Sequence, residues 1–275
     1  MSSRTHFPQI EAQLAELIDF VMCTAQACEA GKLNSWQDMT KRVQTFFTPE
    51  MLEKVDQVVP GWCEMSSYAN GVTLVHTMCV LMALLMCPEY YRATAAQQAL
   101  LKWILLFHDL AKKVQHGQRD HTHGFRSAAM AGEILPRLGF ATTDNYGAQI
   151  KDWVALTNSA MTKRDEPGDY VQDNRQLPEI IAGIEKLFGR NTPAALVVKT
   201  VLLHISVTVV TDWPQAAALT EAQVRYCIDG EILPLLQIMM LVDSDGWALF
   251  DQATRERHRQ ETLMVFEQLK GSVSA

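Results

Sequence analysis

The stretch that decides the fold of this chain is residues 98–112, QALLKWILLFHDLAK. Between positions 99 and 107 the only polar residue is Lys102, so the stretch predicts a helix that is buried on nearly every face. His108 and Asp109 follow directly. Burial of an imidazole and a carboxylate costs several kcal/mol unless a charged or hydrogen-bonding partner meets them. A bound metal ion is one such partner.

A His-Asp pair is weak evidence by itself, because a chain with eight histidines often contains one by chance. Further residues of the same chemistry strengthen it. His76 and His204 each have apolar neighbours at helical spacing, and Asp243 follows apolar residues on one face of another helix. A lone histidine in such a place is usually a core residue with one hydrogen bond. Several of them together favour a shared site.

Composition limits the classes of protein that this chain can belong to. With 275 residues and 48% hydrophobic content, it can bury one large core or two modest ones. A net charge of -7 argues against binding to a nucleic-acid duplex, because phosphate contacts need a basic face. The six cysteines form no CxxC pair and predict reduced residues. No segment reaches the roughly 18 apolar residues of a membrane span, so we expect a cytoplasmic protein without membrane contact.

Helical periodicity, with start and stop signals, predicts an all-α protein. We expect an N-terminal helical extension over residues 1–65 and a metal-binding helical domain over residues 66–275. In the second part the expected helices cover residues 71–86, 94–113, 124–138, 145–157, 178–188, 193–210, 221–228, 232–242 and 246–270. Residues 193–210 are rich in β-branched side chains, but no second strand candidate is present to pair with them. Residues 159–177 predict an exposed loop.

The order of His76, His108-Asp109 and a distant Asp243 resembles the HD-domain superfamily of metal-dependent phosphohydrolases. The segments LVHTMCVLMALL, LLFHDLAKK and IMMLVDSDGWA look like the first, second and last motif helices of that family. The resemblance covers roughly residues 70–250 and implies an HD-type helical core. It also implies that His76, His108, Asp109 and Asp243 bind one metal ion.

The same resemblance implies a second ion in members that have two further histidines between the HD pair and the last aspartate. His123 and His204 look like these two, with His121 as a substitute for His123, and Asp109 would bridge the ions. Imidazole ligands suit Fe, Mn, Co, Ni or Zn, so we expect one or two divalent transition-metal ions. His116 and His121 are otherwise expected at the surface or around the ligands.

Two assignments stay open in the sequence. In many relatives a histidine ends the helix that here closes on Asn158; if Asn158 occupies that position, His204 is a core residue and the second ion is lost. Asp245 also competes with Asp243 for the last ligand position. Asp243 fits the family's final Asp-x-x-Gly motif, which ends here at Gly246, whereas Asp245 is placed to cap a helix.

Basic residues cluster beside the expected metal site in this acidic chain. From His108 to Arg126 the chain carries Lys112, Lys113, Arg119 and Arg126 against only two aspartates, which suits a small phosphorylated substrate, nucleotides included. Lys112 completes the pattern HDxxK, in which the family's lysine contacts phosphate. We expect Asp109 and Lys112 to be catalytic, and Lys112 and Arg126 to bind the substrate phosphate.

These features predict a metal-dependent phosphohydrolase that acts on a phosphate ester through an activated water molecule. Two other functions fit the same residues. HD-type di-iron oxygenases share the ligand set, and a non-catalytic HD-fold signalling module would keep the helices without the chemistry. The sequence leaves the substrate, the physiological metal and a possible oligomer open.

Overall fold

The structure, a computed structural model, describes residues 7–65, 72–113, 119–164 and 169–274. Helices make up most of this part of the chain, so the prediction of an all-α protein is confirmed. The helices are α1 (Ile10–Gln13), α2 (Ala15–Glu29), α3 (Trp36–Phe46), α4 (Pro49–Val58), α5 (Val72–Leu85), α6 (Pro88–Arg92), α7 (Ala95–Phe107), α8 (His123–Ile134), α9 (Tyr146–Ser159), α10 (Leu177–Phe188), α11 (Pro193–Leu203), α12 (Glu221–Cys227), α13 (Ile232–Trp247) and α14 (Gln252–Ser274). Two short 3-10 helices lie at Leu135–Leu138 and Asn174–Gln176.

Several helices begin at capping residues that are visible in the sequence. Thr94 starts α7 with a capping box, in which its side chain accepts from the Gln97 backbone and the Gln97 side chain accepts from the Thr94 backbone. Thr192 caps α11 ahead of Pro193, which suits the first turn of a helix because it lacks an N–H. These local signals explain why the starts of α7 and α11 were predicted to within two residues.

Two expected helices end earlier than predicted. The helix expected over 94–113 stops at Phe107, and the one expected over 193–210 stops at Leu203. In each, the histidine that follows places its Nδ1 2.6 Å from the carbonyl oxygen three residues back, Leu105 for His108 and Val201 for His204. That carbonyl is one that the helix needs to continue, so the side chain competes with the backbone ladder. The prediction missed this because apolar residues continue beyond both histidines.

A small antiparallel hairpin replaces the predicted loop over residues 159–177. Its strands are β1 (Met161–Lys163) and β2 (Tyr170–Gln172), with Thr162 paired to Val171. Three-residue strands are too short to show an alternating pattern, so the sequence did not reveal them. The other difference is at the end of the chain, where α13 runs unbroken through Gly246 and α14 starts at Gln252.

The core is one continuous cluster of buried side chains in which α13 occupies the centre. Helix α13 packs along α5 and also contacts α7, α11 and α14, while α8 packs against α11 and α9. Gly246 sits where α13 meets α5, and a Cβ there would lie 2.7 Å from Cγ2 and 3.1 Å from the backbone nitrogen of Val80. Glycine therefore permits the close approach that brings α13 beside the middle of α5.

The N-terminal helices join the same core. Helices α2 and α3 pack against α5, and α1 packs against α7. The indole Nε1 of Trp103 in α7 donates to the carbonyl of Pro8 at 2.8 Å, which fixes the start of the chain to the helix that precedes the HD pair. Within the described residues, no helix has both the length and the hydrophobicity to cross a membrane.

Candidate metal centre

Four histidines and two aspartates converge at one place between α5, α7, α8, α11 and α13. All of these side chains are buried except Asp243, whose side chain is 29% exposed. The six residues are His76 within α5, His108 and Asp109 directly after α7, His123 at the start of α8, His204 directly after α11, and Asp243 within α13.

The convergent side chains form two groups, each able to hold a metal ion. His76, His108 and Asp243 form the first group, with Oδ1 of Asp243 2.8 Å from Nε2 of His76 and 3.8 Å from Nε2 of His108. Asp109, His123 and His204 form the second. Imidazole and carboxylate together suit divalent transition metals.

Asp109 lies between the two groups, and each of its carboxylate oxygens faces a different one. Its Oδ2 is 3.6 Å from Nε2 of His108 and 3.8 Å from Nε2 of His76. Its Oδ1 is 3.1 Å from Nε2 of His123 and 3.9 Å from Nε2 of His204. A carboxylate in this position can contact an ion in each group.

Three of the histidines are held in one tautomer by the backbone. In each, Nδ1 lies within hydrogen-bonding distance of a carbonyl oxygen three residues earlier in the chain. The pairs are His108 with Leu105 at 2.6 Å, His123 with Asp120 at 2.7 Å, and His204 with Val201 at 2.6 Å. A carbonyl only accepts, so Nδ1 carries the proton and Nε2 of the neutral ring presents a lone pair to the centre.

This tautomer creates a local excess of lone pairs that fits a cation. Nε2 of His123 and Nε2 of His204 are 3.0 Å apart, and two acceptors at that distance cannot hydrogen bond to each other. Two imidazole nitrogens bound about 2.0–2.1 Å from one ion, at about a right angle, lie about 2.9 Å apart. Nε2 of His108 is also buried and has no hydrogen-bond partner among the described residues. The donor atoms therefore fit a metal ion.

The ionisation states of these groups also favour a bound metal ion. Burial lowers the pKa of His108 and of His123, which keeps both imidazoles neutral at neutral pH. Burial alone would raise the pKa of Asp109, but the ammonium of Lys112 and the ring of His108 hold that pKa well below its usual range. The pKa of Asp243 is likewise lowered, because the contact with His76 outweighs burial. Neutral imidazoles and ionised carboxylates are the forms that bind metal ions.

Lys112 lies beside Asp109. Its Nζ is 2.6 Å from Oδ2 of Asp109 and 5.4 Å from the centre of the Trp247 ring. The ammonium therefore stands beside the carboxylate that lies between the two groups.

Arg126 does not lie where a substrate-binding residue was expected. Its guanidinium pairs with Asp120, contacts Oγ1 of Thr122 at 2.6 Å and donates to the carbonyl of Ala111 at 3.0 Å. It is not among the residues that line the pocket. Because the carbonyl of Asp120 holds His123, Arg126 fixes the loop that orients this histidine.

The structure also places the residues that competed for ligand positions. Asn158 is exposed on α9, whereas His204 lies in the second group. Asp245 is buried away from the centre, 3.9 Å from Arg255 and 3.8 Å from Arg259. His121 forms a bridge with Val171 of β2 and is not in either group. His116 lies outside the described residues.

A cavity of about 360 Å³ opens above the two groups. Part of its wall is apolar, and three cations also line it, of which Lys112 lies beside Asp109. The apolar residues are Ile205, Val209, Val210, Trp213, Met240 and Trp247, and the cations are Lys112, Lys113 and Arg119. Much of the wall comes from residues 204–220, which follow the early end of α11. Sequence reasoning missed this wall because it extended the helix to residue 210; Pro214, close behind, was the available signal.

Comparisons with protein-family models, with curated proteins and with solved structures found no match to this chain. The resemblance to the HD-domain superfamily therefore rests on the sequence motifs.

Proposed function

We propose that this protein is a metal-dependent phosphohydrolase of the HD type that holds two transition-metal ions. One observation carries the proposal: the buried carboxylate of Asp109 turns its two oxygens to two separate groups of ligands, directly beneath a pocket with a cationic edge. Ions bridged by one carboxylate are a recurrent arrangement in enzymes that hydrolyse phosphate esters.

The donor atoms favour transition metals over magnesium. Four imidazole nitrogens and two carboxylates converge on the centre, and nitrogen donors suit Fe, Mn, Co, Ni or Zn, whereas magnesium favours oxygen. When bound, such ions lower the pKa of water and stabilise negative charge on phosphoryl oxygens. Asp109 lies between the two ligand groups and faces both of them. The backbone carbonyls that accept from Nδ1 of His108, His123 and His204 fix the direction of the Nε2 lone pairs.

The cations at the pocket edge suit the phosphate of the substrate. Lys112 and Arg119 both line the pocket, with Lys112 on the Asp109 side. Burial lowers the pKa of Arg119, but a guanidinium stays charged at neutral pH. Positive groups fixed beside the reacting phosphorus offset charge that develops on its oxygens in the transition state.

The apolar wall suits the organic part of a substrate. Trp213 and Trp247 are 36% and 40% exposed, which is high for indole rings, and both line the pocket. An aromatic ring that stacks on a nucleobase contributes about 1–3 kcal/mol. We therefore infer a small phosphate ester with a planar or apolar group, and nucleotides are the first substrates to test.

The test is metal analysis of the purified full-length protein, followed by phosphate release from a panel of phosphomonoesters, phosphodiesters and nucleotides with each of the five metals. We expect about two ions per chain and metal-dependent hydrolysis. Asp243→Asn and Asp245→Asn form a matched pair on one helix, and only the first should lose metal and activity. Absence of phosphate release from the metal-loaded wild type on the whole panel would refute the proposal.

A di-iron oxygenase is the second candidate, and the apolar character of the pocket wall favours it. The same four histidines and two carboxylates suit iron, and an uncharged organic substrate would contact this wall well. Oxygen consumption by the iron-loaded protein with phosphate-free apolar alcohols, in the absence of any phosphate release, would support the oxygenase. A protein that binds no metal in titration would instead support a non-catalytic module.

A further inference from the structure

We propose that Ser244, His258 and Asp212 form a proton path between the floor of the pocket and the solvent. The proposal deepens the hydrolase function and rests on it. His258 is the starting observation, because it is an imidazole with 0% exposure on α14 that none of the ligand groups uses. A fully buried titratable side chain needs partners, and its partners here lead in two directions.

One direction leads to the pocket. Ser244 lines the cavity, and its Oγ lies 3.1 Å from Nδ1 of His258. Ser244 directly follows Asp243 in α13, so its hydroxyl belongs to the same turn of helix as a proposed metal ligand.

The other direction leads to the surface. Nε2 of His258 lies 3.1 Å from Oδ2 of Asp212, whose side chain is 47% exposed. Trp213, the next residue, packs its ring against the imidazole with 5.0 Å between centroids. The imidazole is thus enclosed between a pocket residue and a solvent-exposed carboxylate.

The polarity of the three groups gives the path a direction. An ionised carboxylate only accepts, so Nε2 of His258 donates to Asp212, and Nδ1 is left with a lone pair that accepts from the Ser244 hydroxyl. Arg257 also lies 3.1 Å from Nε2 and pairs with Asp212. A guanidinium only donates, so Arg257 favours a lone pair on Nε2, whereas the Asp212 carboxylate favours the Nε2–H form; Arg257 itself has no lone pair and cannot take the proton. In the Nε2–H form of His258, every hydrogen bond from Ser244 to Asp212 points outward.

The path removes the proton that hydrolysis releases. The water molecule that attacks phosphorus must lose one proton as the new P–O bond forms. Ser244 accepts that proton on Oγ while its own hydroxyl proton passes to Nδ1 of His258. The Nε2 proton then passes to Asp212 and on to bulk water. One proton enters and one leaves, Ser244 forms no bond to phosphorus, and no electron is transferred.

A purely structural role makes a different prediction, because His258 also fastens α14 to α13. Thr262 provides a matched control. It lies one turn further along α14, it is also 0% exposed, and its Oγ1 has no hydrogen-bond partner among the described residues. Thr262→Val perturbs the same buried helix face without touching the path.

The first test is independent of catalysis. In zinc-loaded protein with ¹⁵N-labelled histidine, we expect NMR to show His258 as the neutral Nε2–H tautomer and Ser244→Ala to shift its Nδ1 resonance. An Nδ1–H tautomer would overturn the proposal, because Ser244 would then accept from His258 and could not pass a proton to it. This result tests the direction of the hydrogen bonds whether or not the wild type hydrolyses a phosphate ester.

The second test is kinetic and uses the metal-loaded full chain. His258→Ala should lower kcat about 10- to 100-fold, with metal content and KM unchanged, and added imidazole should restore a large part of the loss. Wild type and Thr262→Val in the same imidazole series correct for imidazole that binds the metal, and Thr262→Val should keep kcat within about twofold of wild type. If His258→Ala does not fold, Ser244→Ala should lower kcat and change the solvent isotope effect. A structural role would give no rescue and an unchanged isotope effect, which would contradict the path.

Discussion

Two clusters of charged or polar groups flank α13, and they differ in what balances the charge of their aspartates. On one side, Asp243 faces the imidazoles of His76 and His108, with its Oδ1 2.8 Å and 3.8 Å from their Nε2 atoms. On the other, Asp245 lies near Arg255 and Arg259, whose guanidinium groups supply the positive charge. The first cluster could hold an added cation, whereas the second contains its cations in the chain.

The pKa values of the two aspartates show the same contrast. The pKa of Asp243 is lowered by its contact with His76, despite burial. The pKa of Asp245 is raised, because burial outweighs the more distant arginines. Asp243 and Asp245 are the same residue type on the same helix, yet their pKa values shift in opposite directions. The difference follows from the neighbours of each carboxylate.

The largest effect is expected at the carboxylate between the ligand groups. Asp109→Ala should remove both ions and abolish activity, because each oxygen of Asp109 serves one group. Calorimetric metal titration measures the loss, and circular dichroism checks that the helices persist. Tight binding of two ions by this variant would show that Asp109 is not a shared ligand.

Substitution of the two aspartates of α13 separates the clusters directly. Asp243→Asn should lose the first ion, whereas Asp245→Asn should keep both ions and change the free energy of unfolding by no more than about 1 kcal/mol, because burial already outweighs the attraction of the arginines for Asp245 and Arg259 keeps its pair with Glu89. Metal content and urea unfolding of the metal-free proteins measure the two effects. The comparison fails if Asp245→Asn loses metal as Asp243→Asn does.

His204 tests whether the second group binds an ion separately. His204→Ala should lower the occupancy from about two ions to about one, because the first group shares only Asp109 with the second. Asn158→Ala is the control, since Asn158 is exposed on α9 and should leave the occupancy unchanged. If the wild type saturates at one ion and His204→Ala binds it equally well, His204 is a packing residue.

Lys112 should affect the kinetics and not the metal content. Lys112→Ala should reduce kcat/KM for a phosphorylated substrate by about 10- to 100-fold, because its ammonium stands beside Asp109 at the pocket edge. Lys113→Ala, one residue further along the pocket edge, should have the smaller effect. Loss of metal from Lys112→Ala with normal kinetics would instead make Lys112 a support for the ligands.

The smallest effect is expected in the pH dependence of the metal-free protein. The lowered pKa values of His108 and His123 mean that the unfolded chain binds more protons than the folded one below about pH 6.5. Stability should therefore fall as pH drops through this window, and fall further near pH 4 and below, where Asp109 and Asp243 begin to favour unfolding. Urea unfolding at several pH values measures it. His123→Gln should flatten the first part of the curve, and an unchanged curve would contradict the assignment.

Residue patterns predicted the helices well because helical periodicity and capping are local. The capping box at Thr94 and the helix start at Thr192-Pro193 each form from residues that are neighbours in the sequence. The predicted ends of α7 and α11 were wrong. At each end a histidine side chain hydrogen bonds to a backbone carbonyl that the helix would otherwise use, while the apolar pattern of the sequence continues. The short hairpin was missed for the opposite reason, since three-residue strands carry too little pattern.

The sequence by itself determined the all-α class and, through the order of its histidines and aspartates, which side chains to compare. Only the tertiary structure decided the rest. It separated His204 from Asn158 and Asp243 from Asp245, and it paired Arg126 with Asp120 instead of placing it in the pocket. It also connected Ser244 to Asp212 through His258, although His258 and Asp212 are 46 residues apart in the sequence. The physical reason is distance: contacts between helices depend on how the helices pack, and no spacing along one chain contains that information.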